Sequence, residues 1–336
     1  MPVLRPSIAL TLTLIVVAAA YSNVTSVGFM WDDKTLISEN PAAHQVLPLS
    51  NFFGRNFWSH PFADGQSNTY FRPLVVMSFA VDWVLGAGDP AIFHLTNLLA
   101  HLAACTLVFL LARQRNAAAA ASALAAMVFG LFPRLTESVT WVVGRTDVFA
   151  TAFALLALWL ETRKPGDLFN RIAVALALLL ALFCKEVSVA VLVVLAASSI
   201  ERLRGRSRTF KDECVAALPL LVAAITYAVL RASSSAARPL KLHAPLVSLS
   251  ELGSLASMAL TPWFPNAQAG FVGDTPAWAL LLGVVFLVFS AWLIFVRKAV
   301  WWWAAVVAAV MVTVPNLGVL TPASDRFLYL PVAIAA

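Results

Sequence analysis

Long apolar segments recur along almost the whole chain, and they limit its fold more than any other feature. Each approaches or reaches the roughly 20 residues that a helix needs to cross a bilayer. They lie near residues 8–27, 91–112, 117–133, 147–160, 172–184, 187–200, 214–230, 277–296 and 299–314, and a tenth starts near Phe327. Only 12% of residues are charged, about half the globular share. The sequence therefore predicts an all-α polytopic membrane protein with about nine or ten transmembrane helices.

The basic residues predict how these helices are oriented. Cytoplasmic loops carry an excess of Lys and Arg, and a cytoplasmic N-terminus containing Arg5 puts most of the 23 basic residues on that side. These loops hold Arg113 and Arg115, then Arg163, Lys164 and Arg171, then Arg202, Arg204, Arg206, Arg208 and Lys211, then Arg297 and Lys298. The net charge of +6 is thus a topology signal, and no nucleic-acid partner is expected.

Two long loops, residues 28–90 and 231–276, are predicted on the opposite, outer side. Within the first, residues 49–58 place apolar side chains at helical spacing, which favours an amphipathic stretch lying along the membrane surface. The apolar run at 73–83 is too short to span comfortably, and a crossing there would degrade the charge pattern. We expect it to form a second interfacial or half-inserted helix.

Common cofactor motifs are absent from the sequence. There is no GxxxxGK, GxGxxG, HExxH or CxxC pattern, so nucleotide hydrolysis, dinucleotide binding and common zinc sites lack support. The three cysteines, Cys105, Cys184 and Cys214, lie in or at the ends of apolar segments and imply no disulfide framework. Any chemistry has to use polar groups at the outer membrane face.

An acidic pair, Asp32 and Asp33, directly follows the first apolar segment. Carboxylates beside a membrane helix are costly and often functional. Either can act as a general base if its surroundings tune its pKa toward the working pH; Asp32 is the first candidate. The alternative is that the pair caps or solvates a helix end at the interface.

Further polar groups are predicted on the same side. Arg145, Lys185 and Arg326 are candidates to neutralise a phosphate. Two structural alternatives remain open: Glu137, Arg145 and Asp147 can form an ion pair that closes a tight loop, and Lys185 can pair only with Glu186. His94, Asn97 and His101 share a helical face, which favours interhelical hydrogen bonds over metal binding.

Taken in order, these motifs resemble the membrane half of the transmembrane-and-TPR O-mannosyltransferases and, more distantly, the GT-C glycosyltransferase superfamily. The resemblance runs over nearly the whole chain. It rests on Trp31-Asp32-Asp33, Arg72-Pro73-Leu74, Phe93-His94 with Asn97 and His101, Glu137 with Arg145-Thr146-Asp147, Cys184-Lys185-Glu186, and Arg326 to Pro331.

The resemblance implies a GT-C-like bundle and a set of site residues. In the superfamily, an Asp at the position of Asp32 is the proposed base, and an acidic residue in the second short outer loop matches Asp147. Asp33 stands where distant members often have Glu, which leaves open which aspartate is the base. The implied substrate-binding residues are Arg72, Glu137, Arg145, Asp147, Lys185, Glu186 and Arg326.

The implied reaction is inverting transfer of a sugar, with mannose one candidate, from a polyprenyl phosphate to a hydroxyl at the outer face. The expected partners are membrane lipid, the lipid-linked donor and a protein, glycan or lipid acceptor. No cofactor or metal ligand set is identified, and a divalent ion stays an open question. The expected location is a bacterial inner membrane with the site facing the periplasm. The alternatives are a secondary transporter or a non-enzymatic scaffold.

We expect residues 1–336 to form one transmembrane domain. Family members with TPRs continue into a soluble helical-repeat domain, whereas this chain stops at Ala336. A fragment and a form without repeats are both compatible with that end.

Overall fold

A computed structural model describes residues 5–58, 70–164, 167–205, 209–234, 252–253, 256, 277–292 and 328–335. Within these residues the chain is largely helical and contains no β-strand. The helices are α1 (Pro6–Ala20), α2 (Ser50–Phe53), α3 (Pro73–Gly86), α4 (Pro90–Gln114), α5 (Ala119–Gly130), α6 (Thr136–Thr140), α7 (Arg145–Arg163), α8 (Leu168–Leu182), α9 (Ala190–Arg204), α10 (Phe210–Ser233), α11 (Ala277–Ala291) and α12 (Tyr329–Ala335). The prediction of an all-α polytopic membrane protein is confirmed.

Four helical segments in the described residues are long and apolar enough to cross a membrane, namely Pro6–Ser26, Pro90–Gln114, Val142–Arg163 and Phe210–Ser233. A fifth forms if α5 and the bent segment Pro133–Thr140 count as one span. Helices α8, α9 and α11 occupy three more predicted spans but have only 15 residues each. The predicted span at 299–314 lies outside the described residues, as does most of the second outer loop. Every predicted span inside the described part therefore contains a helix, although fewer than nine have full bilayer length.

Local sequence signals set several helix starts. Asp89 accepts a hydrogen bond from the Ala91 N–H at the start of α4, and Asp167 does the same for the Asn170 N–H at the start of α8. Helix α10 begins with a reciprocal capping box between Thr209 and Asp212. Each cap satisfies backbone N–H groups that have no partner within the helix.

Pro133 interrupts the third predicted span. Helix α5 ends at Gly130, and the chain turns by 51° before continuing as Pro133–Thr140. Proline cannot donate a helical hydrogen bond, and it disfavours helical geometry in the residue before it. The bend brings α6 and the following turn, Val142–Gly144, against the start of α7.

Two apolar cores hold the described residues together. The larger lies between α1, α4, α5, α7, α8, α9 and α12, inside the helix bundle. The smaller consists of side chains from the first outer loop and α3 that pack against the turn before α7 and against Cys184. This second core covers one end of the bundle, which we call the aspartate end because Asp32 and Asp33 lie there.

Helix α3 lies across the aspartate end. Near its start, the Leu74 N–H donates to the Phe183 carbonyl just after α8, at 3.3 Å. Near its end, Asp82 forms an ion pair with Arg145, the first residue of α7. Its last residues lead through Gly88 directly into α4. One short helix of 14 residues, shorter than a membrane span, thus touches the same ends of α4, α7 and α8.

The predicted surface helix at 49–58 is wrong in length and in orientation. Only Ser50–Phe53 is helical. The aromatic rings of Phe52 and Phe57 are buried in the second core, whereas Leu49 is exposed. The spacing of these side chains reflects packing against α3 and not contact with lipid.

A buried ion network marks the opposite end of the bundle, which we call the basic end. Glu161 at the end of α7 contacts Arg171 on α8 at 3.0 Å and Arg202 on α9 at 2.8 Å. Glu213 at the start of α10 contacts the same two arginines at 3.7 and 2.7 Å. Four helices are joined by two positive and two negative charges.

Candidate functional site

Asp33 is fully buried although its neighbour Asp32 reaches the surface. One oxygen of the Asp33 carboxylate accepts a hydrogen bond from the Met30 N–H at 3.0 Å, and the other accepts one from the Val143 N–H at 3.0 Å. Asp32 is half-buried. The pair therefore divides into an inner carboxylate that is tied to the backbone and an outer one that is partly exposed.

The pKa of the Asp33 carboxyl rises from its ordinary 3.8 to about 6. Removal from water is the main cause, since burial disfavours the charged form. The backbone N–H groups of Met30 and Val143 act in the opposite direction, and the negative charge of Asp32 raises the value further. Burial outweighs the donors, so the inner carboxyl holds its proton more tightly than a carboxyl in water.

The turn Val142–Gly144, which carries the Val143 donor, depends on a close backbone approach. A Cβ on Gly144 would lie 2.5 Å from the carbonyl oxygen of Ser138, a distance that real Cβ atoms essentially never show. On the other side, the Asn97 side-chain amide donates to the carbonyls of Trp141 and Val142 at 3.1 and 3.2 Å. Glycine and asparagine together fix the turn that binds Asp33.

Arg145 follows this turn and is fully buried with its donors engaged. Its Nε donates to Asn97 at 2.7 Å and its two terminal nitrogens donate to Ser78 at 3.1 Å and to the Phe93 carbonyl at 2.8 Å. Its charge is paired with Asp82 at 2.5 Å. The expected alternative, an ion pair of Arg145 with Glu137 or Asp147, is wrong because the guanidinium turns toward α3 and α4.

Lys185 and Glu186 have different partners, so the expected pairing of these two residues is also wrong. Lys185 forms a buried ion pair with Asp147, and Thr146 donates to the second oxygen of Asp147 at 3.1 Å. Glu186 contacts Arg72 at 3.5 Å. Two separate pairs therefore connect the end of α8 to α7 and to the start of α3.

The Arg72 pair has unused hydrogen-bonding capacity. The guanidinium lies 4.5 Å from the ring centre of Tyr70 and 5.1 Å from that of Phe57. Neither its Nε nor Oε1 of Glu186 has a hydrogen-bond partner among the described residues. Arg72 also lines a cleft whose other polar residues are Asn40, Asn51, Arg55 and Asn56.

The remaining predicted residues fall into three groups. Glu137 is half-buried in the first turn of α6, and Arg326 lies outside the described residues. Asn97 and His101 make the expected hydrogen bonds, with His101 reaching the Tyr329 hydroxyl on α12 and the Gly130 carbonyl. In the part of the chain that the structure describes, no three His, Cys, Asp or Glu side chains lie together as metal ligands would.

Sequence reasoning missed Asp82 as a site residue. Asp82 lies within the apolar run of α3 and is the only charged residue between Pro73 and Gly86. A lone carboxylate on an otherwise apolar helix calls for a buried cation as its partner. That signal would have pointed to Arg145.

Parts of the chain are similar to curated protein O-mannosyl-transferases. Human TMTC3 is 33% identical over 187 residues, which are 54% of this chain and 20% of the human protein. Tmtc1 of Drosophila melanogaster is 33% identical over 196 residues, or 57% of this chain and 22% of the fly protein. Human TMTC4 is 31% identical over 187 residues, 49% of this chain and 25% of that protein. No family model and no solved structure matches the chain.

These similarities confirm the resemblance expected from the order of the motifs. The chain spans about a fifth to a quarter of the length of these relatives. The apolar helices confirm an integral membrane protein. The relatives come from animals, so they give no support to the expected bacterial inner membrane.

Proposed function

We propose that this chain acts as a membrane glycosyltransferase that moves a sugar from a polyprenyl-phosphate donor to a hydroxyl group of a protein. Mannose is the first candidate sugar, because the similar proteins are named protein O-mannosyl-transferases. The observation that carries the proposal is the difference in burial between the two adjacent aspartates. Asp33 is fully buried and held by backbone N–H groups, whereas the adjacent Asp32 keeps part of its surface exposed.

In this proposal Asp32 is the general base. Each oxygen of Asp33 already accepts a backbone hydrogen bond, and the side chain has no exposed surface, so an incoming hydroxyl cannot reach it. Asp32 is half-buried, which leaves it accessible yet partly removed from water. Asp33 is then a positioning residue that fixes the turn.

With these groups, every bond and proton in the transfer step is accounted for. The acceptor oxygen attacks the anomeric carbon of the donor sugar while its proton passes to Asp32. The bond from that carbon to the phosphate oxygen breaks, and polyprenyl phosphate leaves with the bonding electrons. Attack from the side opposite the phosphate inverts the anomeric configuration. The step needs a base on one side of the sugar and a cation on the other.

Arg72 is the cation we assign to the phosphate. Arg145 is sealed within its contacts to α3 and α4, and Lys185 is paired with Asp147. Among the described residues, the Arg72 Nε has no hydrogen-bond partner, and the ion pair of this guanidinium with Glu186 is long, at 3.5 Å. A guanidinium in this state can bind a phosphate oxygen through a charge-assisted hydrogen bond. The pairs Asp147–Lys185 and Asp82–Arg145 would hold the surrounding helix ends in place.

The site is proposed to lie on the outer or lumenal side of the membrane. The basic residues Arg113, Arg163, Lys164 and Arg204 are at the end of the bundle opposite Asp32 and Asp33. By the positive-inside rule that end faces the cytoplasm. A lipid-linked donor suits the outer side because it needs no nucleotide sugar there.

The test is transfer of labelled mannose from polyprenyl-phosphate mannose to peptide in reconstituted membranes. We expect Asp32→Asn to reduce the transfer rate by at least a hundredfold, because general base catalysis contributes about 10² to 10⁴. Asp89→Asn is the matched control: Asp89 is an exposed carboxylate on the same side, and Asn is an equally good helix cap. Full activity of Asp32→Asn would refute its role as the base.

The transporter alternative makes a different prediction. A secondary transporter would move a solute into sealed vesicles without forming any new glycosidic bond. Solute flux together with no sugar transfer, in the same wild-type preparation, would replace the glycosyltransferase proposal.

A further inference from the structure

The turn that presents Asp32 also presents an exposed aromatic side chain. Trp31 directly precedes Asp32, and 72% of its surface is accessible. Its ring meets the buried Trp141 edge to face at 5.9 Å. The indole therefore projects from the aspartate end with one edge supported and the rest uncovered.

The backbone of Trp31 is strained. Its φ angle is +44°, in the left-handed region that bulky residues avoid. Such a conformation persists only where the surroundings enforce it, and it tends to occur at functional sites. Three hydrogen bonds within residues 30–34 hold the turn here. The Asp33 N–H donates to the Met30 carbonyl at 2.8 Å and the Lys34 N–H to the Trp31 carbonyl at 3.3 Å, while the Asp33 side chain binds the Met30 N–H.

A membrane anchor would need none of this strain. Tryptophans that anchor a helix at the interface lie on or beside the helix itself, as Trp278 and Trp292 do on and just after α11. Trp31 lies on a locked turn between Asp33 and Trp141 and next to the proposed base. Its position fits a molecule that approaches Asp32 from the open side.

We propose that Trp31 is a docking residue for the acceptor polypeptide. This inference rests on the proposed function, and it adds a contact for the chain that flanks the reacting hydroxyl. The donor sugar lies between the base and its phosphate, whereas the acceptor arrives from the exposed side, where the indole lies. Tryptophan supplies a large rigid contact surface at low entropic cost, and it is enriched among residues that dominate protein binding.

The test measures peptide binding apart from catalysis. The probe is a pool of fluorescein-labelled decapeptides with a central threonine, titrated against the full chain in nanodiscs without donor. We expect Trp31→Ala, which removes the aromatic ring, to weaken peptide binding roughly tenfold. Trp31→Phe keeps a smaller ring and should weaken binding less than about threefold. Trp278→Ala removes another exposed tryptophan and should leave the affinity unchanged.

Kinetics give the second measurement. In transfer assays, Trp31→Ala should raise KM for the peptide and leave KM for the polyprenyl-phosphate sugar unchanged. The inference is overturned if wild type binds no peptide of the pool, if Trp31→Ala binds as wild type does, or if Trp278→Ala weakens binding equally. Peptide binding that depends on Trp31 without any sugar transfer would instead refute the proposed function and keep the docking site.

Discussion

The carboxylate of Asp33 accepts a hydrogen bond from the backbone N–H of Val143, 110 positions further along the chain. The bond joins the loop after α1 to the turn before α7, which are far apart in sequence. It holds Asp33 away from solvent and constrains the two preceding residues, Trp31 and Asp32. The proposed base and the proposed docking residue therefore depend on the same long-range contact.

The first prediction concerns pH and Asp33. Burial raises the pKa of this carboxyl from 3.8 to about 6, so the folded protein holds a proton over a range in which the unfolded chain has released it. Unfolding then releases a proton, and the free energy of unfolding contributed by Asp33 falls as pH rises through this range. Above about pH 7 the contribution is constant.

Asp33→Asn cannot titrate and should lack this dependence. Thermal melts of both proteins in nanodiscs, from about pH 4 to pH 8, are the measurement. We expect the apparent Tm of wild type to fall relative to the variant between about pH 4 and 7 and to run parallel to it above that. Parallel curves over the whole range would contradict the raised pKa.

The second prediction concerns the close backbone contact at Gly144. Gly144→Ala places a Cβ against the backbone of Ser138, which cannot move aside as a flexible side chain could. The turn has to shift, and the Val143 donor moves away from Asp33. We expect a loss of about 1–3 kcal/mol of stability, typical of overpacking, and at least a tenfold loss of sugar transfer.

The control for this variant is Gly28→Ala. A Cβ on Gly28 meets nothing within 4 Å, and the residue lies in the same loop as Asp33. Its stability and transfer rate should stay within about twofold of wild type. Equal losses in both variants would show that the effect is general to the loop and not specific to the contact with Ser138.

The third prediction concerns the pair Arg145 and Asp82. Arg145→Met leaves the Asp82 carboxylate buried without its cation, which costs about 3–5 kcal/mol. Asp82→Leu likewise leaves the Arg145 guanidinium buried without its anion. The double variant removes both charges and should be less destabilised than the sum of the single variants by at least about 1 kcal/mol. Strict additivity in unfolding experiments would show that the two side chains do not interact.

The fourth prediction separates stability from catalysis. Arg171→Met removes one cation from the network with Glu161 and Glu213 at the basic end. We expect a lower apparent Tm but unchanged KM values, because this end lies across the membrane bundle from Asp32. Arg163→Met removes an exposed cation at the end of α7, on the same end of the bundle, and should leave Tm nearly unchanged. A change in KM for either substrate would contradict the separation.

The sequence allowed accurate prediction of where helices form. The apolar runs and the caps at Asp89, Asp167 and Thr209 are local signals, and the helices start close to them. The short length of α3 was also predictable, and its location at the membrane interface stays a prediction from that length and the surrounding charges. The orientation of 49–58 was not, because its apolar spacing is the same whether it faces lipid or α3.

The site was predictable in its residues but not in its pairing. Asp32 and Asp33 differ by one position in sequence, and only the turn near Val143 decides which of them is buried. The charges at 137–147 and 185–186 suggested local pairs, yet Arg145 pairs with Asp82 and Lys185 with Asp147. Helix ends that are distant in sequence meet in the bundle, and those meetings set the partners.

The ion network at the basic end contains two arginines, and the proposed membrane orientation gives both of them a second role. In that orientation, Arg171 and Arg202 add to the positive charge that keeps their segments in the cytoplasm while the chain is being inserted. Once the bundle has assembled, Glu161 and Glu213 neutralise these two arginines. The basic end of the folded bundle then carries less net positive charge than the same segments do during insertion. Arg171→Lys would keep the guiding charge and lose the planar two-sided contact. Measuring both the membrane topology and the folded stability of this variant would therefore separate the role of Arg171 in insertion from its role in the folded bundle.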